Sequence, residues 1–355
     1  MDRADDPLAL MSDAERPELS EQLHALRHEA ALIPEPGLGV LEIGGRDRVS
    51  LLQGLVTADL NALRAGTGSE CAFLTFKGKV VQIFGVLADE SSLRLLAPVS
   101  RISALAEAID SYVISEDVTI SDRSEDWRGL LLQGPNSAAI LETVGGRAPN
   151  PLEPVLRNRY ASWLRLEVAG VEVIAYSFPN SAAGGAGLLV PASADTLESV
   201  VEQLIGAGAV TAGTSVRLAG EIEFGVEADF GEDTLLPELP YEHMVSWTKG
   251  CYLGQEPVAR IKHRGRVQKQ LAGITLDADQ AAGGDPIFVG DKQVGHVTST
   301  SSLGPDGPIG LAIVRVALID EPQPMEVRTG GGKTIAAALR YIHTDGVAST
   351  QGGER

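Results

Sequence analysis

Apolar residues along the first two thirds of the chain switch between helical and extended spacing. Leucines recur at near-helical intervals in residues 15–32, which predicts a peripheral helix there. Residues 39–43 alternate as a strand does, and Gly44 and Gly45 turn the chain. Asp47 then stands where an N-cap would begin a helix. The opening pattern is therefore strand, turn and helix.

Extended and helical runs continue to interleave without a strict repeat. The extended runs predict strands at residues 71–76, 79–87, 93–97, 118–120, 130–133, 162–168, 171–178 and 188–190. Helical spacing predicts helices at residues 99–112, 134–140 and 195–205. This arrangement favours a mixed α+β fold over a doubly wound parallel sheet.

Beyond Gly265 the pattern changes to short extended runs separated by Gly, Asp and Pro turns. These runs are residues 267–276, 286–289, 293–299, 308–316, 325–327 and 334–339. Their spacing is typical of a small barrel or sandwich. A domain boundary is therefore predicted near Gly265.

Composition narrows the possible functions. A chain of 355 residues predicts two or three domains, and its formal net charge of -19 argues against a broad nucleic-acid-binding surface. No run approaches the roughly 18 apolar residues of a membrane span, and residues 1–22 lack the features of a secretory signal. Two cysteines are too few for a disulfide framework or, alone, for a metal set. A cytoplasmic protein without a membrane partner is expected.

The most informative segment surrounds Cys251, which lies beside Gly250 and close to Lys249. Pro257 suits the first turn of a helix over residues 255–264, so Cys251 would precede its N-terminal end. Free amides at that end, with Lys249, would favour a thiolate. The alternative is a buried cysteine that acts as a small apolar residue. Cys71 lies in an extended apolar run and is expected in the core.

A basic strip accompanies this cysteine. From residue 249 to residue 269 there are six Lys or Arg residues and one acid, Glu256. Arg260 and Arg264 are spaced to share a helix face and to bind a carboxylate-rich ligand. A solvated basic face that pairs with the acids of residues 221–242 is the alternative. His243 and His263 do not indicate a Cys–His pair, so a self-contained thiol hydrolase is not expected.

Four motifs in order along residues 36–340 resemble those of one family. They are Lys249-Gly250-Cys251-Tyr252-Leu253-Gly254-Gln255-Glu256, Leu51-Leu52-Gln53-Gly54-Leu55-Val56-Thr57-Ala58-Asp59-Leu60, Phe76-Lys77-Gly78-Lys79 and Leu132-Gln133-Gly134-Pro135. The family is that of the YgfZ-type folate-binding proteins. Its relatives are the glycine cleavage system T-protein, which is an aminomethyltransferase, and a mitochondrial iron–sulfur assembly factor.

The resemblance implies an α+β fold with a T-protein-like folate-binding core of two interlocked α+β subdomains and a C-terminal β-barrel. The expected division is a tail and peripheral helix in residues 1–35, the core in 36–264, the barrel in 265–345 and a tail in 346–355. It implies tetrahydrofolate or another reduced folate, including polyglutamylated forms, as ligand. No metal is predicted, because one thiolate cannot supply the usual four ligands of a cluster. Cys251 is the expected functional thiol, and the expected folate-binding residues are Lys249, Tyr252, Gln255, Glu256, Arg260, Arg264, Glu221 and Glu223.

Two departures from the family pattern bear on function. The aminomethyltransferases carry an aspartate soon after the hairpin, whereas here Gln82 lies in a run without a carboxylate until Asp89. The family's usual glutamate falls on Leu218, with Glu221 and Glu223 as substitutes.

The motifs and the two departures leave three interpretations of the function. The leading interpretation is a tetrahydrofolate-binding accessory protein that supports iron–sulfur cluster assembly or repair, with client or assembly proteins as partners. The alternative is a folate-dependent aminomethyltransferase or demethylase. A third is a scaffold whose basic strip binds a protein or RNA and whose cysteine is inert.

Overall fold

A computed structural model describes residues 17–145, 160, 162–178, 184–224, 230 and 233–340. The predicted tails and the proline-containing stretch 149–154 lie outside the described residues. Within the described ranges, no helix has the length and apolar character needed to cross a membrane.

The secondary structure follows the predicted interleaving of strands and helices. The strands are β1 Ala31–Glu35, β2 Leu38–Gly44, β3 Gly68–Leu74, β4 Val80–Ala88, β5 Leu93–Pro98, β6 Thr119–Asp122, β7 Trp127–Gln133, β8 Trp163–Val168, β9 Val171–Ser177, β10 Gly185–Pro191, β11 Val210–Thr211, β12 Lys269–Leu276, β13 Pro286–Val289, β14 Lys292–Gly304, β15 Gly307–Arg315, β16 Met325–Arg328 and β17 Thr334–Arg340. The α-helices are α1 Leu19–His28, α2 Arg48–Gln53, α3 Val99–Asp110, α4 Ser137–Gly145, α5 Ala194–Gly206, α6 Thr214–Phe224, α7 Gln255–Arg264 and α8 Val316–Asp320. Short 3-10 helices occur at Leu60–Ala62, Ser124–Asp126, Leu236–Glu238 and Glu242–Met244.

The first of two compact units comprises Met1–Arg217, Glu232–Leu236 and His243–His263. It contains a six-stranded sheet in the order β11-β1-β7-β10-β9-β8 and a five-stranded sheet in the order β3-β4-β5-β2-β6. Neighbouring strands are antiparallel except for the short β1–β11 pair.

Strand alternation explains how the two sheets of this unit share a core. In β7, Leu130 and Leu132 join a cluster with α4 and α5, whereas Leu131 joins a different cluster. That second cluster also contains Val40 of β2 and Leu96 of β5, which belong to the other sheet. Because successive side chains of a strand point to opposite faces, each sheet faces helices on one side and the other sheet on the other side. The predicted interlocking of two α+β subdomains is confirmed.

The second unit comprises Leu218–Gly231, Pro237–Glu242 and Arg264–Arg355. Its strands form a closed barrel in the order β12-β15-β14-β13-β16-β17, and β17 pairs back onto β12. Ile274, Val314 and Val327 are among the buried residues of its core. The pattern beyond Gly265 therefore makes a barrel and not a sandwich.

The structure corrects the expectations for the N-terminal region. The helix predicted over residues 15–32 ends at His28, and residues 31–35 form β1, which pairs with β7 inside the six-stranded sheet. This part of the segment assigned to residues 1–35 is therefore not peripheral. Every residue of β1 is buried, so the strand shows no alternation that would separate it from the preceding helix.

Two further local features differ from the predictions. Asp47 precedes α2 as expected, but its side chain makes no capping bond and instead accepts a hydrogen bond from the Asp117 amide. Helix α6 was not predicted.

Candidate functional site

Cys251 lies on a loop between the 3-10 helix Glu242–Met244 and α7, and its side chain is exposed. The alternative of a buried Cys251 is therefore wrong. Cys71 lies on β3 with no exposed surface, as predicted, and burial raises the pKa of its thiol far above the ordinary value. The two thiols thus differ sharply in their access to solvent.

Lys249 anchors the Cys251 loop to the segment that follows α2. Its ammonium donates hydrogen bonds to the carbonyl oxygens of Gln53, Val56 and Ala58, at 2.7, 2.8 and 2.6 Å. Burial lowers the pKa of Lys249 from 10.5 to about 8, partly offset by nearby Asp59. All three ammonium donors are directed at these carbonyls and not at Cys251.

Thr57 makes a second connection between the same two segments. Its hydroxyl donates to the Met244 carbonyl at 2.7 Å and accepts from the Ala72 amide at 2.9 Å. The Ser246 amide donates to the Thr57 carbonyl at 3.0 Å, and Thr57 is fully buried. Hydrogen bonds therefore hold residues 51–60 and the loop that carries the cysteine motif together, although they are far apart in sequence.

The β3–β4 hairpin is the third motif at this place. Gly254 has φ of +80°, and a Cβ there would lie 2.5 Å from the Thr75 carbonyl oxygen. Gly78, at φ +77°, would place a Cβ 3.0 Å from Pro257. Glycine is needed at both positions, because the hairpin packs directly on the backbone at the start of α7.

Most predicted folate-binding residues are neighbours on this loop and helix. Tyr252 is buried, and the Lys249 ammonium lies 5.3 Å from its ring centroid. Gln255 is half-buried, and Glu256 and Arg260 are exposed on α7, which Val258 anchors by its complete burial.

The other predicted residues are Arg264, Glu221 and Glu223. Arg264 ends α7, and its side chain lies outside the described set. Glu221 and Glu223 lie on the part of α6 that belongs to the second unit. Glu221 is buried, and the carbonyl of Glu223 accepts hydrogen bonds from Arg340. The role of each in folate binding stays a prediction.

Sequence reasoning missed a carboxylate–imidazole pair. Gln82 is buried, and its amide donates to the Ile83 carbonyl, so no carboxylate occupies that position. Glu70 of β3 is also buried, and one of its carboxylate oxygens lies 2.6 Å from Nε2 of the half-exposed His243. The only sequence signal was an acid immediately before the apolar residues 71–74 of β3.

In the described part of the chain, no three His, Cys, Asp or Glu side chains form a group able to hold a metal ion. The Cys251 loop presents an accessible thiol, with Lys249 two positions before it.

Comparison with known proteins agrees with this architecture. The protein-family model for the GCVT N-terminal domain matches residues 12–249. The family model for the glycine cleavage T-protein C-terminal barrel domain matches residues 269–340. The tRNA-modifying protein YgfZ of Colwellia psychrerythraea is 26% identical over 280 residues, covering 78% of this chain and 81% of that protein. An aminomethyltransferase of Prochlorococcus marinus is 26% identical over 342 residues, covering 91% and 89%.

Among solved structures, the glycine cleavage system aminomethyltransferase T of Bartonella henselae has the same fold. It superposes with a TM-score of 0.76 at 18% identity, covering 91% of this chain and 88% of that one. The predicted T-protein-like fold is confirmed, whereas similar identities to two kinds of relative leave the activity open.

Proposed function

We propose that this chain, which belongs to the glycine cleavage T-protein family, is a tetrahydrofolate-binding accessory protein for iron–sulfur cluster assembly or repair in client enzymes. The observation that carries the proposal is the exposed thiol of Cys251 on a loop that is fixed by Lys249 and lies beside Thr57. A solvent-facing sulfur on an ordered loop is suited to contact with another protein.

One thiolate supplies only one of the usual four ligands of a cluster. A transient role therefore fits Cys251 better than a resident cluster: its thiolate would ligate one iron of a client's cluster by displacing another ligand, and would be displaced in turn when the cluster is passed on. Cys71 is sealed in the core and takes no part.

A reduced folate fits the cations near Cys251. Arg260 is exposed and, among the described residues, makes no ion pair, so its guanidinium is available for the carboxylates of a glutamate tail. Lys249 is less suited, because its three donors already serve carbonyl oxygens. We therefore assign Lys249 to positioning the loop and Arg260 to ligand binding. When bound, the folate would supply one-carbon chemistry or a structural signal to the thiol loop.

The decisive experiment compares Cys251→Ala with wild type in restoring the activity of cluster-dependent enzymes to a deletion strain. Affinity for folinic acid is measured on the same proteins by calorimetry. We expect Cys251→Ala to lose rescue and to keep its affinity, and Cys71→Ala to keep both. Full activity of every cluster enzyme in the deletion strain, also under oxidative growth, would contradict the proposal.

A second function, aminomethyl or methyl transfer to tetrahydrofolate, is supported by the Glu70–His243 pair. A buried carboxylate next to an imidazole supplies proton-transfer groups that Gln82 does not. Incubation with tetrahydrofolate and an aminomethyl-lipoyl donor tests it: the methylene carbon passes to tetrahydrofolate, and ammonia and the free dihydrolipoyl thiol are released, so no oxidant is needed. With dimethylglycine or sarcosine as donor, a two-electron acceptor such as a flavin is added to the assay. Formation of methylenetetrahydrofolate by wild type but not by Glu70→Gln would establish this function in place of the first.

A chain that binds neither folinic acid nor tetrahydrofolate at high micromolar concentration would fit the scaffold interpretation. Calorimetric titration decides this before either functional assay.

A further inference from the structure

The tip of the β3–β4 hairpin presents an aromatic side chain to solvent. Phe76 is 73% exposed, and the ammonium of the exposed Lys77 lies 5.5 Å from its ring centroid. A phenylalanine this exposed forfeits much of the free energy that burial of its side chain would contribute. The hairpin packs on Gly254 and Pro257, which fixes Phe76 beside the first turn of α7.

A second exposed aromatic residue lies near the other end of the same helix. Trp247 is 38% exposed, and its ring centroid lies 6.3 Å from the ring centroid of His263. The Lys262 ammonium lies 5.3 Å from the Trp247 ring centroid. From Pro257 to His263 the helix rises about 9 Å.

Helical geometry places the two aromatic residues on opposite flanks of one exposed strip. Val258 marks the buried side of α7, and the exposed Glu256, Arg260 and His263 lie on the opposite side at about 100° per residue. The hairpin contacts the Pro257 flank, and Trp247 contacts the flank of Lys262 and His263. Cys251 lies immediately before the strip.

The charge of this surface is opposite to that of the whole chain. Lys77, Arg260 and Lys262 outnumber its one acid, Glu256, in a protein with a net charge of -19. Three cations are too few to hold a nucleic acid against that net charge, since such binding requires many neutralised phosphates. Exposed aromatic rings near an arginine are instead typical of protein-binding surfaces.

We propose that this surface, formed by Phe76, Lys77, Trp247, Arg260 and Lys262, binds a partner-protein segment in which acidic side chains alternate with large apolar ones. The apolar side chains contact Phe76 and Trp247, and the carboxylates pair with the three cations. Such a segment would lie next to Cys251. The proposal goes beyond the proposed function, because no step of it requires a folate or a cluster.

The test uses the full chain and a fluorescein-labelled twelve-residue peptide in which Glu alternates with Leu and Phe. Fluorescence anisotropy at low and moderate salt measures binding. We expect saturable binding that Phe76→Ser and Lys77→Glu each weaken by about fivefold or more. The matched controls Ile114→Ser and Arg101→Glu change other exposed residues of the first unit and are expected to bind as wild type does.

Further probes separate the competing occupants. A peptide with Gln in place of Glu, or Ser in place of Leu and Phe, is expected to bind at least about fivefold more weakly. Equal binding of either peptide, or no binding of the first, would overturn the proposal. Binding of an oligouridylate by wild type but not by Phe76→Ser would overturn the proposal in favour of RNA. Self-association that Phe76→Ser abolishes would overturn it in favour of a second copy of this chain. Folinic acid titration of the same variants reports on the proposed function independently.

Discussion

Replacing Lys249 by Met should destabilise the first unit, because it removes the ammonium that joins the Cys251 loop to residues 53–58. Three carbonyl oxygens lose a charged donor at 2.6–2.8 Å. A hydrogen bond to a charged group contributes about 1.5–3 kcal/mol, and an unsatisfied buried carbonyl costs about 1–3 kcal/mol.

These contributions do not add fully. The three bonds share one ammonium, the side chain is only half-buried, and burying the charge already costs free energy, as its lowered pKa shows. We therefore expect a loss of about 2–4 kcal/mol in the free energy of unfolding. Lys249→Arg should recover only part of it, because a planar guanidinium cannot direct three donors at convergent carbonyls.

Urea unfolding followed by tryptophan fluorescence measures this loss. Trp127, Trp163 and Trp247 all belong to the first unit, so the signal reports on that unit. Lys77→Met, which removes an exposed lysine of the nearby hairpin, is the control and should change stability by less than about 0.5 kcal/mol. A Lys249→Met variant as stable as this control would refute the assigned role of Lys249.

Other predictions concern the same loop. Because burial lowers the pKa of Lys249 in the folded chain, the unfolded chain binds the Lys249 proton more tightly than the folded one between pH 8 and about 10. The free energy of unfolding of wild type minus that of Lys249→Met should therefore increase over this range, by roughly 1–2 kcal/mol after allowance for half exposure. Denaturation at a series of pH values checks this, and a decrease of the difference with pH would contradict it. Gly254→Ala should lower stability by about 2 kcal/mol or more, since its Cβ would collide with the Thr75 carbonyl at a positive φ, whereas Gly250→Ala, with open space, should be near neutral in the same urea assay. Ellman's reagent should modify one thiol rapidly in the native protein and two in guanidinium chloride, and rapid modification in Cys251→Ala would show that Cys71 is accessible.

Local sequence patterns were sufficient to predict those helices and hairpins whose bounds depend on residues within the element itself. Pro257 and the glycine after Arg264 predict the bounds of α7, which runs from Gln255 to Arg264. The turn at Gly78 likewise predicts the β3–β4 hairpin. Alternating runs separated by regular turns indicated a small barrel or sandwich. The two are distinguished by the pairing of β12 with β17, which closes the sheet into a barrel and cannot be predicted from either strand alone.

Long-range contacts were beyond such patterns. A lysine beside a cysteine suggests electrostatic support for a thiolate, but the structure directs the Lys249 ammonium to three carbonyls almost 200 residues earlier. Glu70 and His243 are separated by 173 positions, so nothing local pairs them. Continuous burial concealed β1, because a strand covered on both faces lacks the alternation that identifies strands.

The bonds between residues 53–58 and residues 244–253 also impose an order on synthesis. At about 5–20 residues per second, a ribosome needs roughly 10–40 s to proceed from Thr57 to Lys249. During that interval the nascent chain lacks the partners of the Gln53, Val56 and Ala58 carbonyls, so the first unit is completed late in translation. The setting of Cys251 is therefore absent from any nascent chain that ends before it, and a chaperone has time to hold the incomplete unit.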